Sequence, residues 1–144
     1  MLFRSATAID AVNEFKKVTP PELQYLITDM FENITIFSNR MVQANYKKVG
    51  SEYEITLTTT SEKFRANSLG KETQIPVADY IDVAVFAKPE NDKNLGQILI
   101  YKRLKITKKD NIYVFKTKGL PFEAGIDPYN YLIDRILDDN LKRF

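Results

Sequence analysis

The 144-residue chain contains no histidine, no cysteine and no tryptophan, and only five glycines. Each absence removes a class of chemistry. Without histidine the commonest general base near neutral pH is missing, as are the two imidazole ligands of a His-Glu-x-x-His zinc helix. Without cysteine there is no disulfide, no thiolate nucleophile and no thiolate metal ligand, and redox usage does not report the compartment. The glycines, at positions 50, 70, 96, 119 and 125, are too scattered to build a phosphate-cradling loop, and no Gly-x-Ser-x-Gly elbow occurs. No stretch approaches the roughly 18 consecutive apolar residues that a membrane-spanning helix needs. The start, Met1-Leu-Phe-Arg-Ser-Ala-Thr7, lacks a basic region ahead of an apolar one, so no secretion signal is read there. The expectation is a polypeptide that inserts into no membrane directly. An extracytoplasmic location would be reached as part of a longer chain with its membrane segments upstream.

Charge of either sign is nearly balanced, 21 Lys and Arg against 19 Asp and Glu. A net charge of +2 from dispersed residues is too small to drive nucleic-acid binding by counterion release, so no nucleic acid is expected as a partner. What remains is 44% hydrophobic and 28% charged, the composition of an ordinary globular protein large enough for one core.

Along the chain the hydrophobic period changes once. Thr7-Ala-Ile-Asp10 reads as a capping box, with Ile9, Val12 and Phe15 forming a short amphipathic stripe that ends near Lys17. Thr19-Pro-Pro-Glu22 reads as a second helix start, with Thr19 as cap and Pro20 in the first position. Leu23, Leu26, Ile27, Met30 and Phe31 then make one apolar stripe of a helix ending at Glu32-Asn33. After Asn33 alternation takes over. Strands are predicted over Met41–Tyr46, Glu52–Thr60, Thr73–Val77 at an edge because of Pro76, Tyr80–Phe86 at the centre, Gly96–Ile106, Asn111–Thr117 and within Pro121–Pro128. Lys88–Asn94 is a loop rich in turn formers. The pattern predicts residues 1–33 as an N-terminal helical segment and 34–144 as a mainly β, immunoglobulin-like antiparallel β-sandwich, with one or two N-terminal helices.

The end of the chain, Gly125-Ile-Asp-Pro-Tyr-Asn-Tyr-Leu-Ile-Asp-Arg135 followed by Ile136-Leu-Asp-Asp-Asn140, is not demanded by strand or helix chemistry. It closely resembles the extreme C-terminus of large bacterial membrane proteins that join an ABC-transporter-type permease to an aminopeptidase N-like (gluzincin) metallopeptidase region. Phe31-Glu-Asn-Ile-Thr35, Asn39-Arg40, Lys63-Phe-Arg65 and Ile81-Asp-Val-Ala-Val-Phe86 resemble successive segments of the same C-terminal region. The likeness runs from Leu23 to Asn140. It implies a non-catalytic accessory domain of a membrane-anchored, metallopeptidase-like transporter protein, placed outside the cytoplasm with the preceding peptidase-like domain of the same parent chain as its partner. The family's catalytic positions have no counterpart in this chain, so neither a catalytic residue nor a zinc ligand carries over. This chain is therefore expected to be no enzyme and to need no cofactor.

Several constellations have two readings. Asp127, Asp134, Asp138, Asp139 and Asn140 crowd oxygen ligands of the kind calcium takes, but their spacing is not that of an EF-hand loop. The alternative makes Asp127 a turn residue before Pro128, pairs Asp134 with Arg135 across a strand, and leaves Asp138-Asp139 capping or solvating the tail. Tyr53, Tyr101, Tyr113 and Phe115 fall on alternating strand positions and are read as core or inter-sheet residues. Glu52, Glu54, Asp79 and Asp82 offer carboxylates, with nothing in their spacing to bring two together. Tyr129 and Tyr131 sit beside turn residues, and with Asp127, Asp134 and Arg135 they form the candidate interface to a neighbouring domain. A different class of function stays open: an independent sandwich holding a peptide strand along an exposed edge, best near Pro76, or a glycan on an aromatic patch.

Overall fold

The computed structural model describes residues 5–91 and 93–144; Met1–Arg4, at the start of the expected helical segment, and Asp92, in the expected 88–94 loop, lie outside the described residues. Two compact units are present. One comprises the chain up to Thr35 together with Arg65–Thr73, the other Ile36–Phe64 together with Gln74–Phe144.

In the first unit α1 spans Ala8–Val18. The Asp10 N–H donates to Thr7 Oγ1 at 3.2 Å and the Asp10 carboxylate accepts the Thr7 N–H at 2.8 Å, the reciprocal box that the sequence predicts. Thr19 behaves otherwise than expected. It closes α1, its N–H and its hydroxyl both donating to the Phe15 carbonyl, and so does not cap a second helix. That second helix is not continuous either. A 3₁₀ turn at Pro21–Leu23, a four-residue α2 (Gln24–Ile27) and a π turn at Thr28–Glu32 replace it. The cause is local: Pro20 precedes another proline and is held extended at ψ 148°, and no side chain caps the start. Gln24 Nε2 instead donates back to the carbonyls of Lys16 and Thr19, tying the two helical stretches together. Of the predicted stripe only Ile27 is buried; Phe31 stacks on Phe15 with centroids 5.6 Å apart, and Met30 is exposed. Arg65 pairs with Asp29 at 3.0 Å.

The second unit contains the sandwich. One sheet runs β1 (Ile34–Val49), β2 (Glu52–Ala66), β3 (Glu72–Ile75), with β6 (Asp110–Thr117) also paired to β2. The β2–β6 ladder is antiparallel, with Ile55 opposite Phe115 and Leu57 opposite Tyr113. The other sheet has the order β5 (Ile98–Ile106), β4 (Asp79–Phe86), β7 (Glu123–Ile126), β8 (Leu141–Arg143), antiparallel throughout. The core lies between the sheets: Met41, Ala44, Ile55 and Leu57 from one, and Ile81, Val83, Val85, Ile100, Ile106, Ala124 and Ile126 from the other. The chain is thus mainly β, an antiparallel sandwich with N-terminal helices. Pro76 follows an edge strand and the nearly all-apolar β4 is central, as alternation and composition predict.

Three expectations need correction. β1 and β2 are much longer than Met41–Tyr46 and Glu52–Thr60, so Lys63-Phe-Arg65 lies on a strand and not in a connection. Beyond Leu57 the inward positions of β2 are Thr59, Ser61 and Lys63, all buried. The two-residue period continues there in polar side chains, where hydrophobicity does not display it. Tyr101 is not between the sheets. Ile100, Leu104 and Ile106 face inward from β5, so Tyr101 points to the outer face, whereas Tyr113 and Phe115 pack against the core and the half-buried Tyr53 sets its ring edge-on to Tyr46.

Lys63 lies inside as an ion-pair partner of Asp79. Their ion pair is 2.8 Å long with both side chains almost wholly buried, and it joins β2 of one sheet to β4 of the other. Asp79 also accepts the Ala78 N–H at 3.0 Å, and the Lys63 ammonium stands 5.4 Å from the Phe37 ring centroid. Breaking a buried pair by removing one partner is costly, whereas replacing both partners with apolar groups of similar volume is often close to neutral. Lys63→Ala or Asp79→Ala is expected to lower unfolding free energy by about 3–5 kcal/mol, and the double variant Lys63→Met/Asp79→Leu by far less. Urea denaturation of the four proteins checks this; equal losses in singles and double contradict it.

Candidate functional site

The segment Gly125–Asn140 begins inside the sheet of β4. Gly125 pairs with Ala84 on one side and Leu141 on the other. A Cβ there would lie 2.7 Å from Leu141 Cδ2 and 2.9 Å from Pro128 Cβ, so only glycine fits. Asp127 then turns the chain. Its φ is +45°, a left-handed conformation that Asp tolerates better than most residues, and its N–H donates to the Asp82 carbonyl at 2.7 Å. The carboxylate, 2% exposed as a residue, accepts the N–H of Tyr131 at 3.0 Å and of Leu132 at 2.9 Å, while Asn130 N–H returns to the Asp127 carbonyl. One short side chain therefore organises the whole turn.

The chain next reaches β1. Phe37 donates to the Ile133 carbonyl at 2.8 Å and accepts from the Arg135 N–H at 3.2 Å, an isolated parallel bridge. Asp134 Oδ2 accepts the Asn39 N–H at 2.9 Å and Oδ1 the Ile136 N–H at 3.2 Å. The segment thus starts on one sheet and is stitched onto the edge of the other. The expected Asp134–Arg135 pairing is replaced by separate duties: Asp134 binds main chain, and the Arg135 guanidinium lies 4.7 Å over the Phe64 ring. Asp139 accepts from Arg40 Nε at 3.0 Å, and the buried Asn140 makes a long contact to Asp134.

The opposite side of the same segment is apolar and open. Tyr129, Tyr131 and Ile133, two residues apart, are 41%, 70% and 71% exposed, and Ile136 and Leu137 add 53% and 45%. Tyr129 is the inner end of this ridge, its ring 6.0 Å from Tyr131, 6.0 Å from Tyr101 and 6.4 Å edge-on to the buried Phe86. Beside it Asp82 accepts two bonds from Arg103, at 2.8 and 2.9 Å, and one from the Tyr101 hydroxyl. The structure therefore gathers Tyr129 and Tyr131 on the surface and places Asp127 and Asp134 beneath them as supports. Sequence reasoning missed Ile133, Ile136 and Leu137, and also the Asp82–Arg103–Tyr101 group. The outward period Tyr129, Tyr131, Ile133 in a stretch full of turn formers is the signal that could have found the first of these.

Electrostatics follow from placement. The paired Arg103 holds the Asp82 carboxyl below its ordinary value of 3.8, against the opposing effect of burial. Burial, and then the bond to Asp82, pushes Tyr101 up to about 12. Asp127 is raised by burial in spite of its two main-chain donors, with Asp134 and Asp82 adding to the rise. Asp79 and Asp82 point to opposite faces of β4, one to Lys63 and the other to Arg103, and Glu54 pairs with Lys47. These carboxylates do not converge as an acid–base pair. Among the described residues no group of three or more acidic side chains is placed to hold a metal ion, and no helix is long and apolar enough to cross a membrane. No protein-family model, curated protein or solved structure matches the chain.

Asp127→Asn keeps the shape and tolerates the left-handed backbone, but sets an amide NH₂ against one of two N–H donors. A loss of about 1–3 kcal/mol is expected, with faster amide exchange confined to residues 127–135. Asp82 supplies the pH test. Its depressed value means that its contribution is present above 3.8 and lost as pH falls through the folded value. Arg103→Leu should destabilise the protein at pH 7 and progressively less below 3.8; a melting-temperature difference between the two proteins that does not shrink in acid rules this out.

Proposed function

We propose that this chain is a non-catalytic interaction domain, the C-terminal accessory domain of a membrane-anchored, metallopeptidase-like transporter protein. It lies on the extracytoplasmic side of a bacterial membrane and docks on the preceding peptidase-like domain of its parent chain. One observation carries the reading: in Gly125–Asn140 the inward groups hold the segment in place and the outward ones, Tyr129, Tyr131, Ile133, Ile136 and Leu137, form an exposed apolar ridge. Contiguous apolar surface of this kind marks an interaction site. The resemblance of the same segment to the end of the permease–metallopeptidase proteins supplies the partner. The domain's action is mechanical, buttressing the neighbouring domain or completing the wall of its cavity.

A second reading has its own observation. Tyr101, Tyr129 and Tyr131 are contiguous rings next to the half-exposed Arg103 guanidinium, an arrangement that suits an independent sandwich binding a glycan or peptide.

The reading frame around the coding sequence is the first test. A frame continuing upstream through membrane spans and a His-Glu-x-x-His helix is the expected result; a stop codon and a separate ribosome-binding site before Met1 overturn the accessory-domain reading. In the longer protein, residues 129–137 should be protected from hydrogen exchange relative to the isolated chain. Tyr131→Ser/Ile133→Ser should abolish that protection while changing the isolated chain's stability by no more than about 0.5 kcal/mol per site. Glycan-array binding by the isolated chain that disappears in Tyr131→Ala favours the second reading.

A further inference from the structure

We infer that the open edge of β1 receives an extended, acidic peptide segment as an added strand. β1 is 16 residues long and has β2 along one side. Along the other, among the described residues, its main chain meets only the Phe37–Asp134 bridge and the Asp134 carboxylate at Asn39. Phe37 directs both its N–H and its carbonyl to that edge. Met41 is buried, but beyond it Gln43 and Asn45 to Val49 are exposed, and among the described residues this outer stretch of β1 has no ladder partner on that side. Unpaired strand groups of this kind bind extended peptide by main-chain hydrogen bonds, with neighbouring pockets choosing the side chains.

A groove of about 330 Å³ runs beside this edge, lined by Arg40, Met41 and Val42 of β1, by Asp139 of the Leu137–Asn140 turn, and by Leu141 and Lys142 of β8 in the opposite sheet. β8, which supplies Leu141 and Lys142, is itself an edge strand with β7 as its one ladder partner. The groove therefore lies between the open edges of both sheets, with Met41 and Leu141 as apolar lining.

Charge identifies the occupant. β1 and β8 contain Arg40, Lys47, Lys48, Lys142 and Arg143 and no acidic residue. Arg40, Lys47 and Arg143 have carboxylate partners in Asp139, Glu54 and Glu123. Lys48 and Lys142 have none among the described residues. A second copy of this chain fits badly: it would bring to the edge another strand with Arg40, Lys47 and Lys48 and no acidic residue, and like charges across a ladder repel. An acidic strand meets the same groups with opposite sign. This inference goes beyond the accessory-domain reading and does not use the ridge at Tyr129–Leu137.

The test titrates the full chain with two capped ten-residue peptides, one alternating valine and glutamate, the other valine and lysine, followed by fluorescence anisotropy and by amide exchange. The glutamate peptide should bind, slow exchange of the outward amides of β1 from Met41 onward, and weaken about tenfold for Lys48→Glu/Lys142→Glu. Both lysines are on the exposed rim, so folding is expected to survive, and an unchanged melting temperature verifies it. Three results would overturn the inference: no binding up to about 1 mM, equal binding of the lysine peptide, or binding that leaves the β1 amides unprotected.

Discussion

β4 is the constraint on which the second unit depends, because Ile81 to Phe86 are buried on both faces of one strand. The inner face, Ile81, Val83 and Val85, has the opposing sheet to cover it. The outer face, Asp82, Ala84 and Phe86, has no third layer and needs a lid. Fully burying a side chain such as Val, Ile or Phe contributes about 1.5–3 kcal/mol, so an uncovered outer face would forfeit part of the stability of the central strand. The covering is local: Asp127 binds the Asp82 carbonyl, Tyr129 lies edge-on to Phe86, and Tyr101 and Arg103 arch over the Asp82 carboxylate. The end of the chain follows its course because β4 must be shut in.

Once the segment is laid over β4, its exit is set by the geometry of the edge it reaches. It leaves one sheet at Ile126 and meets the first residues of β1 at Ile133–Arg135. That contact pairs only the start of β1's outer edge. Beyond the lid that outer edge has no ladder partner among the described residues, and the short β8 leaves the other sheet open beside it. A covered strand and an open groove are two consequences of one path. The buried ion pair of Lys63 and Asp79 joins the sheets without filling that side, since it belongs to β2 and the start of β4.

Hydrophobic period made the sheets, the central place of β4 and the edge place of β3 legible, because apolar alternation is a direct record of which face meets the core. It failed where burial is polar. Ser61 and Lys63 continue the inward row of β2 past its expected end at Thr60, and Asn39 that of β1, yet residue by residue they read as loop. Inside, Lys63 pairs with Asp79, sixteen positions away, and no local pattern records that. The capping box at Thr7 was legible since both partners are within one turn, whereas the failed cap at Thr19 shows a local signal overruled by its neighbour: α1's last turn used the hydroxyl first. For the candidate site, Tyr129 and Tyr131 were legible as a surface pair. Asp127 was legible as a turn residue before Pro128, and it organises that turn; that Asp134 binds main chain instead of pairing with Arg135 was not, because both roles call for the same residue type beside a turn.

The string from Gly125 to Asn140 carries two sets of instructions on different residues. Gly125, Asp127, Leu132, Asp134 and Asn140 face the protein, and each has a steric or hydrogen-bonding task there. Tyr129, Tyr131, Ile133 and Ile136 face solvent and have no task in the fold that a serine could not share, apart from Tyr129 against Phe86. A segment selected for folding alone would not keep large apolar groups on its outer side, where they add nothing to stability and raise the risk of association. Their presence supports the proposed docking surface. The two sets are physically separable, so the fold and the proposed docking can be perturbed one at a time.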